Sequence, residues 1–319
     1  MAGARVLVVR LGAMGDVIQT LPAVASLKHS IPHSTITWIV EKHWSALLEG
    51  NPYVDRTIFL DRGSLGGILG SWRDLRASHY EFAVDFQGLI KSAAIAAIAR
   101  PERIFGFASP LVRERPAAWC YSDKTRSTSV HMVDLNLDLA AAAGASSLLR
   151  TFPLPPGTPE GRLPAGDFVL ASPLAGWGAK QWPLEFYGEL GKRLRREFGL
   201  KLVLNAAESI EIDGADPHSS SLPGLLDATR RAVAVVGVDS GPLHLAAALG
   251  KTGVAIYGPT DPARNGPYGG AFTVLRSTAA VTTLKRTPDP HPSMRSISPA
   301  VVFDALAKVL CSRSVTPTL

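Results

Sequence analysis

The chain has 319 residues, of which 46% are hydrophobic and 19% are charged, and its formal net charge is +6 at pH 7. This length is sufficient for two domains with separate cores, and the composition excludes a wholly disordered chain. No apolar run reaches the roughly 18 residues of a membrane-spanning helix. Basic residues are spread over both halves without a dense block, so we expect no nucleic-acid partner.

The cysteines and the first residues bear on the cellular compartment. Cys120 and Cys311 lie far apart and match no metal-ligand or Cys-x-x-Cys spacing. A signal peptide is not expected, because the short apolar run between Arg5 and Arg10 leads directly into a glycine turn. We therefore expect a reducing, cytoplasmic location. The modest basic excess is compatible with anionic substrates or an anionic membrane surface.

Apolar, strand-like runs alternate with helical patterns through the first half of the chain. In order, we predict a strand at RVLVVRL, a helix over Asp16–His29, a strand at TITWIVE, a helix over His43–Leu48, strands at RTIFL and FAVDF, and helices over 91–99 and 131–143. Strands that are almost entirely apolar and are separated by helices indicate a parallel sheet covered on both faces.

Residues 151–166, TFPLPPGTPEGRLPAG, interrupt this alternation, because their prolines and glycines disfavour both helix and strand. The pattern then restarts with DFVLASP, LEFYGELGKRLRREFG, KLVLNAA, PGLLDATRR, AVAVVGVD, PLHLAAALG and GVAIYGP. A last helix over 298–310 has an apolar face that must be buried. We predict two Rossmann-like, doubly wound α/β domains over 1–155 and 156–296, facing across a cleft, and a C-terminal helical segment over 297–319.

The turn after the first strand reads GAMGDVI and carries Asp16 at the start of a helix. Its glycines are spaced G-x-x-G, whereas a dinucleotide-binding loop needs G-x-G-x-x-G. Glu41, at the end of the second strand, could imitate the acidic residue that binds a ribose. A nicotinamide-dependent oxidoreductase is therefore an alternative, which the missing glycine disfavours. Taken alone, Asp16 is explained equally well as a helix-capping acid.

Two stretches in the second half suggest a site for a diphosphate. VDSGPLHLAAALG (238–250) places a sharp turn between a strand and a helix, whose free N–H groups and dipole favour an anion. LAGWGAKQWP (174–183) is a glycine-rich loop that carries Lys180. Each has a plainer explanation, since the first can be a helix cap and the second a solvated lysine.

A fourth stretch, FAVDFQGLIKSA (82–93), gathers Asp85, Gln87, Gly88 and Lys91 at a strand-to-helix junction. In doubly wound sheets, the carboxyl ends of the strands line the ligand crevice. Single polar residues at such junctions can also be helix caps.

Together these stretches resemble glycosyltransferase family 9, the heptosyltransferases of lipopolysaccharide core synthesis. The matching segments are VLVVRLGAMGDVIQTLPA, VDFQGLIKSA, GFASPLVRERPAAWCY, GAKQWP, VDSGPLHLAAALG and YGPTDPARNGPYG. The resemblance implies a GT-B fold whose last helix packs back on the N-terminal domain. It also implies an inverting transfer of L-glycero-D-manno-heptose from ADP-heptose to Kdo of Kdo2-lipid A, without a metal or other cofactor. The enzyme would be a monomer at the cytoplasmic face of the inner membrane, in peripheral contact with its anionic surface.

The resemblance also implies roles for individual residues. Asp16 matches the catalytic base, Lys180 the lysine on the nucleotide phosphates, and Glu208 the glutamate on the ribose. The other donor-side residues are Gly176, Asp239, Ser240, Gly241 and His244. The acceptor-side residues are Arg10, Gly15, Gln87, Lys91 and Arg113.

The match has two departures, and it leaves alternatives open. Ala175 and Gly176 stand where many relatives have two hydroxyl residues, and Arg10 stands where the family often has lysine. A family 9 enzyme that adds heptose to a different acceptor is one alternative. A non-catalytic ADP-binding protein with the same fold is another, which the presence of Asp16 disfavours.

Overall fold

The computed structural model describes residues 3–61, 65–283 and 285–313. The chain divides into two compact units, Met1–Pro155 and Pro156–Leu319, and residues 151–166 contain neither helix nor strand. Among the described residues, no helix is both long and apolar enough to cross a membrane.

The first unit is a parallel sheet covered by helices. Its strands are β1 (Arg5–Val9), β2 (Thr35–Glu41), β3 (Arg56–Leu60), β4 (Phe82–Asp85), β5 (Arg103–Phe107) and β6 (Asp123–Thr125). Its helices are α1 (Met14–Ser30), α2 (Leu65–Arg76), α3 (Ile90–Ile98) and α4 (Met132–Ala142), with 3₁₀ turns at Lys42–Leu48 and Arg115–Cys120. The strand order is β3-β2-β1-β4-β5-β6, so the winding reverses between β1 and β4.

The second unit repeats this plan. Its strands are β7 (Phe168–Ser172), β8 (Lys201–Ala206), β9 (Asp216–Ser219), β10 (Ala234–Val238), β11 (Gly253–Tyr257) and β12 (Phe272–Arg276). Its helices are α5 (Leu184–Phe198), α6 (Leu222–Arg231), α7 (Gly241–Ala248), α8 (Pro262–Asn265), α9 (Pro292–Arg295) and α10 (Pro299–Arg313), with a 3₁₀ turn at Gly178–Lys180. The order β12-β11-β10-β7-β8-β9 reverses between β7 and β10, which confirms two Rossmann-like, doubly wound domains.

The local sequence explains why these elements form where they do. Every residue of β7, β10 and β11 is buried, as expected for parallel strands covered on both faces. Helix α5 ends at Gly199, whose φ of +66° is the left-handed conformation that ends many helices. The expected helix over His43–Leu48 is a 3₁₀ helix over Lys42–Leu48.

The apolar face of α10 is buried inside the second unit. Val302, Phe303, Leu306 and Leu310 lie in the same core as residues of α5, β10 and β11. These apolar residues are therefore covered within the second unit, and the expected packing of the helix on the first domain stays a prediction. An amphipathic pattern predicts that a face is buried, but not which surface covers it. Here α5 and the outer strands of the second sheet offer the apolar surface.

Because the Leu306 side chain is fully buried, we expect Leu306→Ala to lower the free energy of unfolding by about 2–5 kcal/mol. The matched control is Val301→Ala on the same helix, where Val301 is 48% exposed and the expected change is within about 0.5 kcal/mol. Calorimetry of both variants measures the difference. Equal thermal midpoints would contradict the burial of this face in the core.

Candidate active site

In the first unit, polar side chains gather where the sheet reverses its winding. β1 and β4 are parallel neighbours, with Val9 opposite Asp85, so the residues after both strands lie at the same edge. In doubly wound sheets this is the place where a crevice for ligands forms. Arg10 follows β1, Gln87 follows β4, and Asp16 lies in the first turn of α1.

Arg10 is a buried cation that holds Asp16. Its side chain is only 1% exposed, and one guanidinium nitrogen lies 2.8 Å from Asp16 Oδ1. Another nitrogen donates a hydrogen bond to the backbone oxygen of Phe86. Burial lowers the pKa of Arg10, and the neighbouring Asp16 carboxylate opposes this effect. Arg10 is therefore a buried and fixed partner of Asp16.

The second oxygen of the Asp16 carboxylate is held from another side. Oδ2 accepts a hydrogen bond from the Ala13 N–H at 3.3 Å and lies 3.5 Å from a guanidinium nitrogen of Arg113. Asp16 therefore caps its helix, as expected of an acid in the first turn, and it also pairs with two arginines. Its side chain remains 25% exposed. A carboxylate fixed on two sides and open on a third can receive a proton from a bound hydroxyl.

Asp85 organises the turn that supports Arg10. It is completely buried, and its Oδ1 accepts hydrogen bonds from the N–H groups of Gln87 and Gly88 at 2.9 and 3.2 Å. Its Oδ2 accepts from the Ser92 and Tyr121 hydroxyls at 2.8 and 2.7 Å. Burial raises the pKa of Asp85, although these four hydrogen bonds oppose the rise.

Gln87 is also structural. Its side chain is 5% exposed, and its Oε1 accepts a hydrogen bond from the Leu11 N–H at 2.9 Å. The turn after β4 is thereby tied to the turn after β1. Gly88 permits this turn, because its φ is +69°.

The remaining acceptor-side residues lie around Asp16. Gly15 is buried beside it in the first turn of α1, and Arg113 is 56% exposed. Lys91 Nζ lies 4.0 Å from Glu41 Oε1, and Glu41 in turn borders Gly12. The structure therefore brings together all five predicted acceptor-side residues. Lys91 and Arg113 have exposed side chains, whereas Arg10, Gln87 and Gly15 are buried, and the acceptor roles of all five stay predictions.

Two further residues at this edge have no predicted acceptor role in the sequence analysis. Glu41 ends β2, and Trp44 lies so close to Gly12 that a Cβ there would come within 2.6 Å of Trp44 Nε1. The signal for Glu41 is its place at the carboxyl end of a strand next to β1. The contact of Trp44 depends on tertiary structure and has no signal in the sequence pattern.

The second unit also gathers charge at its own reversal point, where β7 and β10 are parallel neighbours. Lys180 Nζ lies 2.6 Å from Asp239 Oδ2, and His244 Nε2 lies 3.6 Å from Asp239 Oδ1. Asp239 is only 6% exposed and Lys180 only 16% exposed. The predicted donor-side residues Lys180, Asp239 and His244 therefore form one connected group.

The loop that carries Lys180 is held in place by an aromatic ring and by backbone contacts. Lys180 Nζ lies 4.4 Å from the centroid of the Trp177 ring, and Arg286 Cζ lies 5.0 Å from it. Gly178 lies so close to Pro288 that a Cβ there would clash with the backbone oxygen of Pro288. Ala179 N–H donates to the Thr287 oxygen at 3.0 Å. Segment 287–291 therefore belongs to this site in the second unit.

Buried hydroxyl groups lie near Lys180 and Asp239, at the start of α7 and in the loop after β11. Ser240 is the cap residue, and within the described part of the chain its buried Oγ has no hydrogen-bond partner. The same holds for the buried Thr260 Oγ1. Helix α7 begins at Gly241, and its first N–H groups carry the positive end of the helix dipole. Lys180, these N–H groups and a free hydroxyl make a set of donors suited to an anion.

Glu208 and Gly176, the other predicted donor-side residues, are both exposed. Glu208 follows β8, the strand next to β7 in the sheet. In Rossmann-like sites an acidic residue after the second strand forms hydrogen bonds with the ribose hydroxyls.

The group at Asp239 predicts a specific loss of stability in acid. Burial alone would raise the pKa of Asp239, but the hydrogen bond from His244 and the charge of Lys180 outweigh it and lower the pKa to about 2. A lowered carboxyl pKa contributes stability that is present above about pH 4 and is lost as the pH falls towards 2. We expect this contribution to be about 2 kcal/mol.

Calorimetry of the wild type and of Asp239→Asn between pH 5 and pH 2 measures this contribution. Asparagine cannot titrate, so the stability difference between the two proteins should shrink as the pH falls. A difference that stays constant over this range would contradict the lowered pKa.

Comparison with known proteins gives a consistent family match. Residues 68–292 match glycosyltransferase family 9 (heptosyltransferase). Lipopolysaccharide heptosyltransferase 1 of Pseudomonas aeruginosa is 30% identical to this chain over 298 residues, which cover 83% of this chain and 81% of that protein. Lipopolysaccharide heptosyltransferase 2 of Salmonella typhimurium is 25% identical over 98% of this chain and 100% of its own length.

A solved structure extends the match to the fold. The E. coli heptosyltransferase WaaC with ADP is 26% identical, and it covers 96% of this chain and 99% of its own with a TM-score of 0.75. The α/β class and the GT-B assignment made from the sequence are thereby confirmed.

Proposed function

Because the chain belongs to glycosyltransferase family 9, we propose that it transfers L-glycero-D-manno-heptose from ADP-heptose to Kdo of Kdo2-lipid A. Two similarities support this substrate pair. The heptosyltransferase 1 of P. aeruginosa is 30% identical, against 25% for the heptosyltransferase 2 of S. typhimurium. The related WaaC structure is one with ADP.

In this proposal the second unit holds the donor. Lys180 and the first N–H groups of α7 bind the diphosphate, and the free Ser240 hydroxyl adds a donor. Glu208 accepts hydrogen bonds from the ribose, in keeping with its place after the second strand of the unit. Since Lys180 is paired with Asp239 at 2.6 Å, it is positioned before the nucleotide binds.

The first unit supplies the base. The acceptor hydroxyl oxygen attacks the anomeric carbon and forms a new C–O bond, while its proton passes to the Asp16 carboxylate. The bond between the anomeric carbon and the phosphate oxygen breaks, and its electron pair leaves with ADP. Attack from the side opposite the leaving group inverts the anomeric configuration.

The charge on the departing diphosphate is met by the protein. Lys180 and the start of α7 place positive charge where negative charge develops, which is the part that a metal ion plays in other transferases. We therefore propose a metal-independent reaction. Added EDTA should leave the rate unchanged.

The observation that carries the proposal is the contrast between the two reversal points. The first unit presents a carboxylate held by Arg10 and Arg113, whereas the second presents Lys180 at the start of a helix. A sugar transfer from a nucleotide needs a base for the acceptor and cations for the leaving group. We further propose that the enzyme works as a monomer in the cytoplasm, in peripheral contact with the inner membrane.

The choice of acceptor is tested by initial rates with two substrates. One is Kdo2-lipid A, and the other is the same lipid with one heptose already attached to Kdo. We expect transfer to the first and a rate at least about a hundredfold lower with the second, because the site must reject an added sugar. Preference for the heptosylated acceptor would assign the chain to the second step of heptose addition instead.

A further inference from the structure

Two cations share the ring of Trp177 in the second unit. Lys180 Nζ lies 4.4 Å from the centroid of this ring, and Arg286 Cζ lies 5.0 Å from it. The ring attracts each cation, but the arrangement also brings two positive charges together, and like charges repel. An anion that binds both cations would relieve this repulsion. The shared ring therefore points to an anionic ligand beside Trp177.

Lys180 does not balance a diphosphate by itself. Its Nζ lies 2.6 Å from Asp239 Oδ2, so a buried carboxylate already offsets its charge. A diphosphate carries more than one negative charge. The loop before Lys180, residues 174–179, reads LAGWGA and contains neither a hydroxyl residue nor a second cation. Another part of the chain must therefore supply further positive charge.

Segment 285–291 is fixed beside this loop by backbone hydrogen bonds. The Ala179 N–H donates to the Thr287 oxygen at 3.0 Å, and the His291 N–H donates to the Ala179 oxygen at 3.1 Å. Arg286 directly precedes the first of these anchors, and its side chain is exposed. The backbone therefore keeps this arginine next to the loop that carries Lys180.

The loop after β11 is tied to the same part of the chain. The Thr283 N–H donates to the Pro259 oxygen at 2.8 Å. The next residue, Thr260, is only 5% exposed, and within the described part of the chain its hydroxyl has no hydrogen-bond partner. Buried polar groups normally have partners. This hydroxyl and that of Ser240 are therefore spare donors for a polar ligand at the same edge of the sheet.

The charges of the surrounding stretches leave Arg286 as the cation in excess. These stretches follow β7, β10, β11 and β12 and comprise residues 173–183, 239–244, 258–266 and 277–291. With the histidines neutral, they contain four bases and three acids: Lys180, Arg264, Lys285, Arg286, Asp239, Asp261 and Asp289. The exposed Glu208, which is predicted to bind the ribose, brings the sum to zero. Without Arg286 the net charge would be negative and would oppose the binding of an anion.

We propose that Arg286 is a second diphosphate-binding residue of the donor site, and that Trp177 is a positioning residue that holds Lys180 and Arg286 towards the diphosphate. The inference rests on the proposed function for the identity of the nucleotide. A guanidinium donates two parallel hydrogen bonds to phosphate oxygens, so Arg286 adds direction as well as charge. When the bond to the sugar breaks, its electron pair stays on ADP, and the second cation stabilises the added charge.

Titration calorimetry with ADP and with adenosine tests the role of Arg286 without an acceptor. We expect Arg286→Gln to raise the Kd for ADP by about tenfold or more, because one charge-assisted contact is lost. The Kd for adenosine, which has no phosphate, should stay within about twofold of the wild type. Added salt should weaken ADP binding less steeply in the variant than in the wild type, because one charged contact is missing.

The matched control is Lys285→Gln, which removes the same charge from the neighbouring exposed residue. Its Kd for ADP should stay within about twofold of the wild type, and circular dichroism should show both variants folded. Equal Kd values for ADP in the Arg286 and Lys285 variants would overturn the proposal. A loss by Arg286→Gln that is equally large for ADP and adenosine would also overturn it, since the phosphates would then not be the point of contact.

Two variants of Trp177 test whether the ring acts through the cations. Trp177→Leu removes the ring and should weaken ADP binding by about tenfold, whereas Trp177→Phe keeps an aromatic face and should lose no more than about threefold. Adenosine should bind both variants as it binds the wild type. A selective loss of adenosine binding by Trp177→Leu would show that the ring stacks on the base, and would contradict its role in positioning the cations.

A transfer assay separates this inference from the proposed function. The KM of Arg286→Gln for ADP-heptose should rise by about the same factor as its Kd for ADP. If the wild type binds ADP but transfers no heptose, the proposed function fails while the titrations still decide the role of Arg286. If the wild type transfers heptose and Arg286→Gln has an unchanged KM for ADP-heptose, the proposed function stands and the inference about Arg286 fails.

Discussion

Replacing Asp16 with asparagine is expected to lower kcat by about 10²–10⁴-fold, the usual contribution of a positioned general base. The amide cannot take the proton of the acceptor hydroxyl, although it has nearly the same shape. ADP-heptose affinity should be unchanged, because the donor residues lie in the second unit. Steady-state kinetics gives kcat, and titration calorimetry gives the affinity.

The matched control is Asp134→Asn. Asp134 lies in the first turn of α4 and pairs with Arg150 at 3.4 Å, so its replacement removes the same charge from a similar position. It should leave kcat within about twofold of the wild type. Near-normal turnover by Asp16→Asn would remove Asp16 from the mechanism.

The Asp16→Asn variant is also expected to be less stable, because Asp16 pairs with Arg10. Arg10 is buried, and its charge is paired with Asp16 at 2.8 Å. Without that carboxylate a buried cation is left poorly compensated, and we expect a loss of about 1–3 kcal/mol in the free energy of unfolding. The hydrogen bond from Arg10 to Phe86 remains, so the variant still folds. Thermal unfolding distinguishes this loss from the kinetic effect.

Replacing Lys180 with glutamine is expected to lower kcat by about 10²–10³-fold, as for the loss of one donor to a developing negative charge. The effect should be largest on the chemical step, because the charge on ADP grows as the bond to the sugar breaks. The KM for ADP-heptose should also rise, since Lys180 meets the diphosphate in the ground state. Single-turnover kinetics at saturating donor separates the two effects.

Lys192→Gln is the matched control for Lys180. Lys192 Nζ also lies 2.6 Å from an aspartate oxygen, that of Asp213, but its side chain is 58% exposed. An exposed ion pair of this kind contributes little, so stability and rate should stay close to the wild type. Equal rates for the Lys180 and Lys192 variants would contradict the role of Lys180 at the leaving group.

The sequence predicted the strands and helices that have a clear hydrophobic periodicity, and it missed those that lack one. β1, β4 and β10 are apolar runs beside a sharp turn, and the sequence located them. β9 reads DPHS and lies at the edge of its sheet, where a proline is tolerated, so no apolar pattern marked it. Helix α2 contains three glycines and exposes Leu69 and Trp72, which conceals the usual helical signal.

The candidate site shows the same limit at the level of single residues. The motifs located Asp16 and Lys180, because turns after parallel strands and glycine-rich loops have recognisable spacing. They did not reveal that Arg10 is buried, since this depends on Phe86, which lies 76 positions away in the chain. The spacing places Asp85 at a strand-to-helix junction, but it gives no sign of the hydrogen bond from Tyr121, which lies 36 positions away in the chain.

The most direct test is to incubate the wild-type protein with ADP-heptose and Kdo2-lipid A and to determine the mass of the lipid product. We expect the acceptor to gain the mass of one heptosyl residue and an equal amount of ADP to be released, with Asp16→Asn giving little product in the same time. An acceptor of unchanged mass in the presence of folded wild-type protein would contradict the proposed transfer.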